Sequence, residues 1–213
     1  MILLAVETAY DVCGAALVSR DRVLGLEEVV APRRHNELLA PAVERLMAAT
    51  GMCWIDLAGI AVSAGPGAYS GLRVGMSYVK GLAWGTDLPV FVVPTLPSLV
   101  MDEEVAPPHW IAAWSHRDRI YAQQWEAEGR YGKVAGMDWH VFAAQAGEGL
   151  VAGYQLERFL PTDGITFVPA CPSAVKVGKF ALTQDLQPTS DLDNLVPNYL
   201  HEFQPRRLND AHS

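Results

Sequence analysis

Two stretches of this 213-residue chain carry residues whose types and spacing could do chemistry. The stronger is Gly65-Pro66-Gly67-Ala68-Tyr69-Ser70-Gly71, set between an apolar run that reads as a strand (59–64) and a pattern that reads as a helix. Several glycines, with Ser70 as N-cap, could turn backbone N–H groups toward an anion at the helix N-terminus. The lysine of a P-loop is missing, however, and the spacing is not GxGxxG. The same loop therefore also reads as a tight connection that lets two helices or chains approach closely. The second stretch is Glu7-Thr8-Ala9-Tyr10-Asp11. A carboxylate at a strand end beside a hydroxyl can position a metal-bound phosphate. Bulky Tyr10 would crowd a nucleotide there, and a simple hairpin is the favoured reading.

The remaining candidates assemble no constellation. His35 and Glu37 invite an acid–base or half-metal-site reading, but no second histidine lies at helical spacing from His35. A metal needs three or four ligands and a nucleophile needs an oriented base. Ser63 and Ser70 lack the GxSxG context of a nucleophile elbow. Cys13, Cys53 and Cys171 form no CxxC pair and read as three small buried residues in a reducing compartment. Neither a catalytic residue nor a metal or cofactor is expected.

The elements that must position these residues are legible from the apolar pattern. Residues 2–6 form a continuous apolar run, as a strand buried on both faces would. Residues 12–18 and 23–30 follow at hairpin spacing. Helical spacing runs over 36–49, with Asn36 as N-cap, Pro41 inside and Gly51 closing it. A second helix is expected over about 71–84. It is apolar on nearly every side and holds Gly71, Gly75 and Gly81, each interior glycine costing about 1 kcal/mol relative to alanine. Close approach of another backbone is the usual compensation. Residues 90–93 read as a strand and Thr95 as the cap of a short helix to 100. The polar, proline-rich stretch 101–109 reads as an inter-lobe linker. Beyond it, 110–115 and 119–125 repeat the strand–turn–strand of the N-terminus, a faint internal duplication. Residues 126–170 read as irregular, with short strands near 150–152 and 165–168. A helix over 172–181 with Pro172 in its first turn, and a frayed tail over 208–213, complete the pattern.

The net charge is −8. Such a surface repels phosphate backbones and argues against stand-alone nucleic-acid binding. The N-terminal apolar run stops at Glu7, too short for a signal or a membrane span, and no stretch reaches the roughly eighteen apolar residues a span needs. A cytoplasmic location is expected.

The stretches 3–17, 35–47 and above all 60–85 resemble the TsaB (YeaZ) family. The motif Gly-Pro-Gly-x-x-x-Gly-x-Arg-x-Gly over 65–75 carries most of the likeness. Weaker matches lie at Arg119-Ile120-Tyr121 and Pro197-Asn198-Tyr199-Leu200. The resemblance implies an α/β chain of the actin-like ATPase (ribonuclease H-like) superfold, with two lobes of mixed β-sheets flanked by helices. Residues 1–102 would form the partner-binding lobe and 103–213 a smaller, divergent one. It also implies a non-catalytic subunit that binds and activates a TsaD-like transferase, joined by a TsaE-like ATPase, in threonylcarbamoyladenosine modification of tRNA. Contact with tRNA would come only through the complex, and a homodimer could form when the chain is alone. The interface would fall on the two apolar helices, at Leu38, Ala42, Arg45, Leu72, Gly75, Tyr78, Val79 and Leu82. The motif loop would comprise Gly65, Pro66, Gly67, Ser70, Gly71 and Arg73. Glu7-Thr8 stands where the family usually has Asp-Thr, and Trp114-Ser115-His116 where it often has Asp-Ala-Arg. A small ATP-binding phosphotransferase or ATPase of the same superfold is the alternative reading, and a peptidase a distant third.

Overall fold

The computed structural model describes residues 1–101, 109–126, 130–184 and 186–200. The first lobe is built on strands β1 (Ile2–Glu7), β2 (Val12–Ser19), β3 (Val23–Val30), β4 (Gly59–Ser63) and β5 (Val90–Val93). Its helices are α1 (His35–Thr50), α2 (Tyr69–Thr86) and α3 (Thr95–Leu99). The second lobe carries β6 (His109–His116), β7 (Arg119–Trp125), β8 (Ala135–Asp138), α4 (Trp139–Ala146), β9 (Leu150–Tyr154), β10 (Thr166–Pro169) and α5 (Ala174–Thr183).

The duplication hinted at by one repeated hairpin extends to whole sheets. The first runs β3-β2-β1-β4-β5 and the second β8-β7-β6-β9-β10. In each, an antiparallel three-strand meander continues into two parallel strands. The central strands β1 and β4 are buried along almost their whole length, as their apolar runs require of strands covered on both faces. After its fifth strand each lobe sends a helix across the molecule: α3 packs on β6, and α5 lies on β1 and β2. Gly178 makes the second crossing possible, because a Cβ there would sit 2.2 Å from the Val18 side chain. Between the lobes, Ala9, Tyr10, Leu72, Leu96, Ile111, Tyr121 and Ala152 share one buried cluster. The Gln155 side-chain amide also donates to the Asp11 carboxylate across the divide.

Several expectations need correction. The first residue of α1 is His35, so its N-cap is Arg34 and not Asn36, and Pro41 sits inside an unbroken helix. In α2 the N-cap is Ala68 and Ser70 lies in the first turn without capping it. Thr95 opens α3 after Pro94 and accepts the Gly65 N–H on its hydroxyl at 2.9 Å. Pro172 precedes α5: Ser173 caps it, and Glu28 of β3 accepts the Ala174 N–H at 2.8 Å. The stretch read as irregular holds β8 and α4, a short helix capped by Asp138 and anchored by only two buried residues, Trp139 and Phe142. Of the cysteines, only Cys13 is buried, with burial raising its thiol pKa to about 11; Cys53 and Cys171 are exposed. Of the expected linker 101–109, residues 102–108 lie outside the described residues and His109 already opens β6; the expected frayed tail over 208–213 also lies outside them. Among the described residues, no helix is long and apolar enough to cross a membrane.

Candidate functional site

The two stretches singled out for chemistry meet in space, and they fill one another. β1 ends at Glu7, whose side chain turns inward and is fully buried. One carboxylate oxygen accepts the Ala9 N–H at 2.5 Å and the Ser63 hydroxyl at 3.0 Å, while the other has no hydrogen-bond partner. Burial in this apolar layer lifts the Glu7 pKa to about 7, and Glu28 nearby adds to the rise. Next along the chain, the Thr8 hydroxyl donates to the Gly71 carbonyl at 2.9 Å. The Ala9 carbonyl accepts the Ala68 N–H at 2.6 Å. Tyr10 is buried beside Tyr154 at a ring separation of 5.5 Å, and burial holds its hydroxyl pKa well above the ordinary value.

The glycine loop closes over this turn from the other side. A Cβ on Gly67 would lie 2.5 Å from the Ala9 carbonyl oxygen and one on Gly71 2.1 Å from the Thr8 carbonyl oxygen. At Gly75 it would meet the Thr8 hydroxyl at 2.2 Å. Gly65, at φ +113°, faces the Asn198 carbonyl, and the Asn198 N–H donates to Ala64 at 2.7 Å. Of the two readings of the loop, close backbone approach is the one realised. The backbone of the β1–β2 turn occupies the space beside Gly67 and Gly71 that an anion cradle would need to keep open. A shallow cleft of about 280 Å³ does remain between the lobes, lined by Tyr10, Asp11, Tyr69, Trp114, Gln155 and Tyr199 among others. His35 and Glu37 do not come together: the buried His35 Nε2–H donates to the Val12 carbonyl at 3.2 Å, and Glu37 pairs with Arg34 on the surface at 3.0 Å.

The residues expected at an interface divide by burial. Ala42, Leu72, Gly75 and Val79 lie inside the chain: Val79 packs in the core under the first sheet, Leu72 in the cluster between the lobes and Gly75 against Thr8. Leu38, Tyr78 and Leu82 are half-buried on the shoulder where α1 meets α2, and Arg45 is exposed, with its guanidinium 2.9 Å from Glu27. Placing Ala42, Leu72, Gly75 and Val79 on a contact surface is therefore corrected: α1 turns Ala42, and α2 turns the other three, to the core side. In the motif loop Gly65 and Pro66 are buried, Gly67 is half-buried and Ser70 is exposed, while Gly71 is buried against Thr8. Arg73 stands out of the surface with its guanidinium 5.5 Å from the Tyr69 ring centroid. The outward side of α2 is a different set, Arg73, Ser77, Gly81, Trp84 and Gly85. At Gly81 and Gly85 a Cβ would meet nothing within 4 Å. Sequence reasoning singled out Gly81 for close approach but left this face off the expected interface, although the four-residue spacing Ser77, Gly81, Gly85 carried the signal.

Two five-stranded sheets of identical order, each sending a helix onto the other lobe, define a two-lobed chain of the actin-like class. The family described as TsaD: tRNA N6-adenosine threonylcarbamoyltransferase matches residues 15–166. Proteins named tRNA threonylcarbamoyladenosine biosynthesis protein TsaB are similar in sequence. That of Bacillus subtilis (strain 168) is 35% identical over 99 residues, 46% of this chain and 43% of the relative. That of Escherichia coli (strain K12) is 33% identical over 96 residues, 45% and 41% of the two chains. The matched stretch thus spans less than half the length of these relatives. A crystal structure of a protein with similarity to peptidase YEAZ from Pseudomonas aeruginosa superposes with a TM-score of 0.76 at 24% identity, covering 94% of this chain and 99% of that one. The chain belongs to this threonylcarbamoyltransferase family, on its TsaB (YeaZ) side.

Proposed function

We propose that the chain is a non-catalytic subunit in threonylcarbamoyladenosine modification of tRNA, which binds and activates a TsaD-like transferase through the outward face of α2 and the adjoining shoulder of α1. One observation carries the proposal. Gly81 and Gly85 sit inside a helix, where each costs about 1 kcal/mol relative to alanine, yet among the described residues nothing lies within 4 Å of a Cβ built at either. Gly71 and Gly75 have their reason in Thr8; the outer pair has none among the described residues. A helix of another chain lying close against Ser77, Gly81 and Gly85 supplies one, with Leu38, Tyr78 and Leu82 as the apolar flank and Arg45 at the rim. The filled anion cradle suits a chain that leaves the chemistry to its partner. The net charge of −8 suits one that leaves the tRNA backbone to others. A TsaE-like ATPase joins the pair, and in the absence of the transferase the same face supports a homodimer. The setting is the cytoplasm.

Co-expression with the TsaD homologue of the same genome, followed by sizing and an assay of modified adenosine in tRNA, tests this. The expected result is a one-to-one complex, with modification lost when this chain is omitted. Gly81→Leu should break the complex without lowering the melting temperature of the chain alone. Separate elution, with modification proceeding in the absence of this chain, would overturn the reading.

A further inference from the structure

The outward face of α2 ends at Trp84, which is 79% exposed and is the most exposed aromatic side chain among the described residues. It stands over a hollow of about 690 Å³ lined by Ala83, Asp87, Leu88 and the segment 190–193. The far wall is held in place. Thr189 exchanges both backbone hydrogen bonds with Val90 at 2.8 Å, and the Asn194 side-chain amide donates to Asp191 at 2.8 Å. Lys80 reaches across to the Leu195 carbonyl at 3.3 Å, and its charge is felt at Asp191. Against it stand three exposed carboxylates, Asp87, Asp191 and Asp193.

The position of Asp87 breaks two local rules at once. It follows the last residue of α2 in the left-handed region, at φ 55°, where glycine or asparagine is the usual choice. It also places a negative charge at a helix C-terminus, whose dipole favours cations, and no basic residue occupies the last turn of α2. An indole face, three carboxylates and the carbonyl end of a helix around one hollow match the needs of a planar cation. We infer that this hollow receives an arginine side chain of the protein that packs on the outward face of α2. The guanidinium stacks on Trp84 and its N–H fork meets Asp87, Asp191 and Asp193. Arginine fits better than lysine because its charge is planar and its donors pair with carboxylates two at a time. A phosphate-bearing surface is disfavoured by the same carboxylates. The inference rests on the proposed α2 contact for the source of the arginine, but the pocket itself can be tested alone.

The whole chain, labelled with 15N at its six tryptophans, is titrated with acetylated, amidated hexa-arginine. The Trp84 indole resonance is assigned by its loss in Trp84→Phe. Trp84 should shift ahead of the other indoles, and hexa-lysine should bind several-fold more weakly. Asp191→Asn with Asp193→Asn should weaken hexa-arginine about tenfold. Glu148→Gln with Asp163→Asn removes the same charge from the second lobe and should change affinity by less than about twofold. Equal losses in the two double variants, or an unmoved Trp84 resonance, would overturn the pocket. A homodimer that dissociates on Asp191→Asn with Asp193→Asn would overturn the assignment to a different protein, since the arginine would then come from a second copy. With the TsaD homologue, the same double variant should weaken the complex about tenfold and Gly81→Leu should abolish it. Loss with the aspartates but not with Gly81→Leu sinks the helix-face reading and keeps the pocket; the converse sinks the pocket.

Discussion

Along α2, Gly71 and Gly75 point inward at Thr8, while Gly81 and Gly85 point away from every other described part of the chain. The inner pair lies where a Cβ would come within 2.2 Å of another atom, and the outer pair where no described atom beyond its chain neighbours and the helix's own backbone lies within 4 Å. Both pairs weaken the helix by the same mechanism, the backbone entropy lost on ordering a residue without a side chain. Only the inner pair is offset within the fold, by the packing of the β1–β2 turn and the hydrogen bond from Thr8 to Gly71. Glycine in a helix thus marks close approach in both places, and the difference is whether the approaching backbone is intramolecular.

The largest effect should come from the inner face. Gly71→Ala puts a methyl group against the Thr8 carbonyl, which is main chain and can move only by displacing the β1–β2 turn. The turn holds Glu7, Thr8 and Tyr10, all buried, so relief would be shared by the whole inter-lobe cluster. A loss of more than about 3 kcal/mol in urea-unfolding free energy is expected. A stability within about 0.5 kcal/mol of the parent chain would show that the turn and α2 are not wedged together and would erase the contrast with the outer face.

Next in size is Glu7, which this wedge seals from water. Its folded pKa of about 7 lies above the ordinary 4.5, so between those values the native chain holds a proton that the unfolded chain releases. Stability should therefore be greatest below about pH 4.5 from this group and fall as pH rises toward 7, by roughly 3 kcal/mol at most. Glu7→Gln keeps an oxygen for the Ala9 N–H and the Ser63 hydroxyl and removes the ionisation. The variant should be more stable than the parent at pH 8 and lose this slope, as urea titrations across pH 4–8 would register. A parent chain whose stability rises through that window would mean that solvent or a cation reaches Glu7, and that the turn is open.

The first lobe was the more legible in sequence. Continuous apolar runs bounded by polar turns place β1 to β5 within a residue or two, and the glycine loop announces a close approach. The duplication showed only in its hairpins, because sheet order is a long-range property and the helices differ: α2 has no counterpart between β9 and β10, only a single turn at Glu157–Phe159. α4 escaped notice because two buried anchors make no periodicity. The inner and outer sides of α2 could not be told apart for a related reason. Leu72, Val74, Met76, Tyr78, Val79 and Leu82 surround the helix, so its apolar pattern has no clear polar face, and Leu72, Gly75 and Val79 were assigned outward. The side was decided by Thr8, some sixty residues away in the chain. Trp84 and its hollow depend likewise on the segment 190–193 folding back onto α2, which no local pattern encodes.

The smallest change is also the sharpest probe of the comparison. Gly81→Ala adds a methyl group into open space, so in the isolated chain it should raise stability by about 0.5–1 kcal/mol through helix propensity alone. Its sign is opposite to that of Gly71→Ala, although the two substitutions are chemically identical and lie in the same helix. If a second helix lies against this face, the same methyl group holds the two backbones apart. The variant should then bind the TsaD homologue several-fold more weakly while being the more stable protein, as calorimetric titration and thermal unfolding would reveal together. Stabilisation with undiminished binding would leave the outer glycines without a function in that contact, and the approach they allow would have to be made by some other chain.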